Sequence, residues 1–246
     1  PVSGAGGANK GRASSAFGYA ADPSAGILKL SSAATLAFGL ADASRAGGNA
    51  KFDIRETYTA QGNGSVTFRF DVDGVMSVGP LPLDLDRFQA SNQVTAELKL
   101  TTRENNRLVT RRAQGGATHQ VVSGRGSTTT FTQAVPFTPV YAFADVLEVT
   151  LDLVQGQSFT LDLAFFQGAG AGSNSGAAAN DFTNTGYLDF TTTTGLSILA
   201  SDADFLATAT GRPSSVPSPV PLPASLWMML AALTGLTGMR RRKSPA

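Results

Sequence analysis

Few residues in this chain have the types and spacing that chemistry requires. There is no cysteine and a single histidine, His119, so neither a thiolate nor a multi-histidine metal site can be assembled. A catalytic histidine needs a nucleophile and an orienting partner, and the segment Gln114-Gly115-Gly116-Ala117-Thr118-His119, read as a loop or strand edge, supplies neither. Gly124-Arg125-Gly126-Ser127 has neither the Gly-x-Ser-x-Gly spacing nor the following helix of a nucleophile elbow. Asp71-Val72-Asp73-Gly74 has half the spacing of a calcium loop without its later acid. A turn at Asp73-Gly74 ending a strand accounts for it more simply. Asp84-Leu85-Asp86 and Asp202-Ala203-Asp204 are acid pairs of the same ambiguous kind. No metal or cofactor is therefore expected. Lys99, Arg103, Arg107 and Arg111 recur every fourth residue and all sit at odd positions. Thr101, Thr102, Val109 and Thr110 favour strands, and Glu104-Asn105-Asn106 suits a turn, which predicts a hairpin with one basic outer face. Such a face fits an acidic polysaccharide, and it equally fits a plainly solvated surface. Paired carboxylates for glycoside hydrolysis can come from any two strands, so spacing leaves a surface hydrolase open. The reading preferred here is a non-enzymatic protein.

Composition narrows the field further. Of 246 residues, 42% are hydrophobic and 15 are phenylalanine, too much apolar content for full disorder. The length fits one large β domain or two small ones. A net charge of +1 conceals an asymmetry: residues 1–125 hold 14 Lys/Arg against 10 Asp/Glu, whereas 126–211 hold 8 acids and no base. The densest basic cluster lies at the carboxyl end beside an apolar run, a placement that points to a membrane rather than to nucleic acid.

The elements that must position these residues read as β-strands. Val66, Phe68, Phe70 and Val72 alternate with Thr67, Arg69 and Asp71. Leu147–Leu153 and Phe159–Phe165 alternate in the same way and predict a hairpin through Gln155-Gly156-Gln157, with Leu153 opposite Phe159. Further strands are expected at Ile27–Leu30, Leu36–Leu40, Lys51–Thr59, Val94–Thr102, Leu108–Arg111, Thr128–Gln133, Tyr187–Thr193 and Leu196–Leu199. The expected fold is all-β, an antiparallel β-sandwich or jelly roll over residues 26–210. A loose Gly/Ala/Ser-rich segment precedes it at 1–25, and residues 168–180 read as a low-complexity loop.

The carboxyl end is organised differently. Residues 211–223, GRPSSVPSPVPLP, form a Pro-rich linker, because proline fixes φ and removes an amide hydrogen. The run from Ala224 to Met239 carries no charge, and Arg240, Arg241, Arg242 and Lys243 close it. Sixteen helical residues reach about 24 Å, short of a hydrocarbon core of about 30 Å but within reach when basic stems snorkel. Leu226, Met228, Met229, Leu230, Leu233, Leu236 and Met239 supply the apolar face of one transmembrane helix, with Trp227 as an interfacial anchor at its far end. The positive-inside bias puts Arg240–Lys243 in the cytoplasm and residues 1–219 outside.

Val220-Pro221-Leu222-Pro223-Ala224, then this helix, then the basic stop, resembles the VPLPA variant of the PEP-CTERM sorting signal, over 220–243. Asp181–Phe190 followed by Gly195-Leu196-Ser197-Ile198 is similar to the last strands of many proteins with such a tail. The resemblance implies an exported protein of a Gram-negative bacterium, anchored first in the inner membrane. It implies a partner too, an exosortase-like membrane cysteine protease, and a destination at the cell surface or in an exopolysaccharide or biofilm matrix. Pro221 and Pro223 hold the motif extended, the form a protease can engage. Export also requires an N-terminal signal, which residues 1–20 do not resemble, so the expectation is one already removed upstream.

Overall fold

The computed structural model describes residues 2–10, 13–36, 45–79, 89–122, 125–131, 133–172 and 176–206. The chain divides into two units, Pro1–Gly211 and Arg212–Ala246. The second lies wholly outside the described residues, and with it the VPLPA-type segment, the apolar run and the basic stop. Among the described residues no helix is long and apolar enough to cross a membrane.

The described residues form thirteen strands, most of them alternating with period two: β1 (Val2–Lys10), β2 (Ala13–Asp22), β3 (Ile27–Leu36), β4 (Arg45–Ala60), β5 (Gly64–Gly79), β6 (Gln89–Glu104), β7 (Arg107–Val122), β8 (Arg125–Thr130), β9 (Ala134–Val135), β10 (Val140–Leu153), β11 (Ser158–Gly172), β12 (Gly176–Thr192) and β13 (Ile198–Ala200). They form two antiparallel sheets, ordered β1-β2-β3-β12-β5-β10 and β13-β4-β11-β6-β7-β8-β9. The two sheets pack into a sandwich-like all-β body. Each turns its apolar positions inward, so Phe68 and Phe70 of the first meet Tyr58, Phe159 and Phe165 of the second. Phe70 and Phe165 meet edge-on at 5.5 Å, and Tyr58 stacks on Phe159 at 5.2 Å. Each such side chain contributes about 1.5–3 kcal/mol by leaving water.

The expected hairpin between residues 147–153 and 159–165 is not formed. β10 pairs with β5 in one sheet, and β11 pairs with β4 and β6 in the other. The connection arches across the core because its backbone docks on the end of β4. The Gly156 N–H donates to the Ala60 carbonyl at 2.8 Å, and the Ala60 N–H donates to the Gln157 carbonyl at 2.9 Å. Gln155 N–H meanwhile donates to Asn63 Oδ1. Inward alternation is the same for an arch as for a hairpin, so it marks the two strands without choosing their partners.

Two stretches expected to be irregular are strands instead. Residues 1–25 contain β1 and β2, paired in register from Val2↔Ala21 to Lys10↔Ala13. Most of 168–180 belongs to β11 and β12, which reach Gly172 and begin at Gly176. Their Gly/Ala content serves close packing. A Cβ on Gly48 of β4 would lie 2.5 Å from the Ala16 carbonyl oxygen and 2.8 Å from that of Ala33, both in the opposite sheet. At this end the sheets pack closely around a small second core of Ala34, Ala90, Ala169, Ala171 and Ala178 with Leu36, Val78 and Val121. Amide side chains bridge the gap: Asn180 Nδ2 donates to the Gly168 carbonyl at 2.7 Å, and Asn92 Nδ2 to that of Ser77 at 2.7 Å.

The opposite end is closed by the last described residues. Glu56, almost fully buried, accepts hydrogen bonds at Oε1 from Ser201 Oγ at 2.6 Å and from the Asp202 N–H at 2.8 Å. The Leu206 N–H donates to the Pro23 carbonyl, and its side chain joins the core.

Candidate functional site

Each sheet offers an outer face, and register decides what stands on it, since directly opposed residues share a face. On the seven-stranded sheet, Ala164 of β11 lies between Asp53 of β4 and Glu97 of β6. One position along, Asp162 lies between Arg55 and Lys99. The small alanine side chain leaves a depression of about 430 Å³, lined by Asp53, Arg55, Glu97, Lys99, Asp162 and Ala164.

The charges in it are largely mated. Asp162 Oδ1 accepts from Arg55 Nε at 2.5 Å, and its Oδ2 lies 3.1 Å from Lys99 Nζ. Burial opposes ionisation of Asp162, but the bonds from Arg55 and Lys99 outweigh it and hold the carboxyl below its ordinary value. Asp53 pairs with Lys51 at 2.8 Å. A carboxylate held ionised between two cations anchors charge and is poorly placed to donate a proton. Sequence spacing could not reveal this constellation, because three strands far apart in the chain contribute to it. The local signal is weak, because Ala164 is one of several small residues at the outward positions of β11, with Gly168 and Gly170.

The basic stripe is present but divided. β6 and β7 form the expected hairpin, turning at Asn105 and Asn106, both with positive φ (49° and 63°). A two-residue turn pairs odd with even positions, Glu104 with Arg107 and Lys99 with Arg112. Lys99 and Arg103 therefore stand on the outer face with Arg112, whereas Arg107 and Arg111 project to the other side. The expectation that all four share one face is corrected by this register. Both sides of β7 are exposed there, and Arg103, Arg107, Arg111 and Arg112 make no ion pair among the described residues.

Asp71 and Asp73 do not flank a turn, because β5 runs straight through Asp73-Gly74. The buried Phe182 ring lies against Gly74, and β12, not β5, carries the irregularity, between Asp181 and Thr185. Asp71 accepts from Arg69 Nε at 2.8 Å, and Arg69 Nη1 also donates to Glu148 at 2.9 Å. Asp73 Oδ1 is buried without a hydrogen-bond partner. Its burial, reinforced by Asp71, raises its pKa. Among the described residues no group of three or more metal-ligating side chains comes together. Asp202 belongs to the closing segment and accepts from the Asp204 N–H, whereas Asp84, Asp86 and Gly124 lie outside the described residues.

His119 is not in a loop or at a strand edge. It sits inside β7 between β6 and β8, fully buried, with its ring stacked 5.1 Å from Phe137 and 6.0 Å from Tyr141. Nδ1 is 2.8 Å from Thr128 Oγ1. Burial lowers its pKa, partly opposed by the Pro139 carbonyl, so the ring is neutral at physiological pH. The residue packs the core. No family model matches the chain, and no curated protein and no solved structure matches it either.

Proposed function

We propose that this chain is an exported, non-enzymatic protein of the cell surface or extracellular matrix. An exosortase-like membrane protease would process it at the Val220–Ala224 segment. The observation that carries this reading is the order of three tail elements: a proline-held motif, a charge-free run from Ala224 to Met239, and four consecutive cations. Each has a physical task. Pro221 and Pro223 keep the backbone extended for a protease, the apolar run holds the precursor in the bilayer, and Arg240–Lys243 stop transfer and set orientation. Loss of those four cations leaves 15 bases against 18 acids, a mildly acidic product with no anchor from this tail.

The matrix setting is where the exposed arginines of the β6–β7 hairpin acquire a use. Arg107 and Arg111, which project away from the outer face, are exposed and lack ion pairs among the described residues, are the groups we assign to contact with an acidic exopolysaccharide. This second reading, a glycan-binding module, does not need the tail.

Intact mass of the mature protein recovered from cells tests the tail reading. The expected mass corresponds to a chain ending at or near Val220–Ala224, and replacing 226–243 with a polar sequence releases the protein from the membrane fraction. A mature mass extending through Ala246, or unchanged membrane fractionation of the polar-tail variant, overturns it.

A further inference from the structure

The uneven charge along the sequence becomes, in the fold, two opposed faces of opposite sign. On the outer face of the six-stranded sheet stand Asp71, Asp73, Glu148, Asp152, Asp181 and Asp189, all sharing parity with Arg69 through the β5, β10 and β12 registers. Among the described residues Arg69 and Lys29 are the cations on that side. On the outer face of the seven-stranded sheet stand Lys51, Arg55, Lys99, Arg103, Arg112 and Arg125. Among the described residues the acids of that side, Asp53, Glu97 and Asp162, all belong to the depression over Ala164. Two of them are already paired with Lys51, Arg55 and Lys99. The charge left over is therefore negative on one face and positive on the other.

We propose that the occupant of each face is a second copy of this chain, the acidic face of one molecule docking on the basic face of the next. Complementary charge on the two faces of a single chain is the observation that selects this partner. Size permits it. A strand of 16 residues such as β5 spans about 50 Å, and six strands are about 25–30 Å wide, more area than the ~800 Å² per partner of a standard interface. The two docking faces are different surfaces on opposite sides of the body. The contact is therefore heterologous, and repetition gives an open stack rather than a closed dimer. Individual surface ion pairs are weak and screened, so the stack forms at low ionic strength and dissolves in salt. This inference rests on the body of the protein and is independent of how the tail is processed.

Sedimentation velocity of the full chain in dodecyl maltoside tests it, with the tail and micelle constant throughout. At about 0.01 M salt, where screening extends ~30 Å, the expected species exceed the monomer and grow with concentration. At about 1 M, where it extends ~3 Å, the monomer returns. Association through the apolar tail survives salt and is thereby distinguished. Arg103→Glu with Arg112→Glu removes the positive excess of the basic face, and Glu148→Lys with Asp152→Lys removes the negative excess of the acidic face. Either variant alone is expected to remain monomeric, and an equimolar mixture to pair through the one unaltered face of each, which misfolded variants cannot do. A wild-type monomer at low salt, a salt-insensitive size distribution, or a mixture that stays monomeric overturns the proposal.

Discussion

At the scale of the residue, His119 shows how the fold sets a side chain's chemistry. Sealed between Phe137 and Tyr141 and bonded to Thr128, it resists protonation in the native state, whereas in the unfolded chain it titrates near the ordinary 6.5. A lowered folded pKa means that the unfolded state binds more protons in the window below that value. Its contribution to stability is thus complete above about pH 6.5 and declines as pH falls toward the depressed native pKa. It is the only histidine. Thermal unfolding should accordingly show a midpoint that drops between about pH 7.5 and about pH 5.5, with most of that slope abolished in His119→Gln. The same variant should lose about 1–3 kcal/mol at neutral pH from lost stacking and bonding. An unchanged slope in the variant would assign the pH dependence elsewhere.

At the scale of the element, the Gly/Ala strands show why composition misleads. Stretches such as GAGAG at Gly168–Gly172 look unstructured because they carry little to bury, yet they are strands. Small residues are the only ones that fit where β4 passes over β2 and β3. Gly48→Ala should therefore destabilise the body by about 1–3 kcal/mol, the range for overpacking, because the obstructing atoms are backbone oxygens that cannot swing away. Denaturant unfolding should place the midpoint lower for Gly48→Ala and lower still for Gly48→Val. A Gly47→Ala control, whose nearest neighbour would be an ordinary 3.7 Å away, should cost much less.

At the scale of the whole molecule, the closing segment after β13 ties the body to the point where the chain continues toward its tail. Two hydrogen bonds to Glu56 Oε1 hold Ser201 and Asp202, and Leu206 is buried in the core. Removing the carboxylate leaves both donors without this acceptor. Charge-assisted bonds are worth about 1.5–3 kcal/mol each, not fully additive, so Glu56→Ala should cost about 2–4 kcal/mol. Limited proteolysis should then cut within 201–206 well before the rest of the body. Glu56→Gln, which keeps one acceptor oxygen, should recover part of the protection; cleavage equally slow in Glu56→Ala and wild type would remove the role assigned to Glu56.

Strands with apolar alternation were legible in the sequence because alternation is a local property, whereas the Gly/Ala strands, which lack it, were not. Val66–Val72 and Phe159–Phe165 declare which side chains point inward whatever they pair with, and their inward parity is what the structure shows. The β6–β7 turn was legible for the same reason, since Asn105 and Asn106 suit positive φ. Partner choice was not. Alternation is satisfied equally by a hairpin and by an arch, and the hydrogen bonds from Ala60 and Asn63 that select the arch come from residues about ninety positions away. The basic stripe failed by one step of register, because two turn residues flip parity across the hairpin. The depression over Ala164 was illegible, being built where β4, β11 and β6 come side by side. Composition and local spacing thus determined an all-β body, its inward faces and the tail motif on which the proposed sorting rests, because each is written in neighbouring residues. Which strands meet, which charges share a face, and why glycine lies where two sheets touch were decided by tertiary structure, because those properties depend on residues distant in the chain.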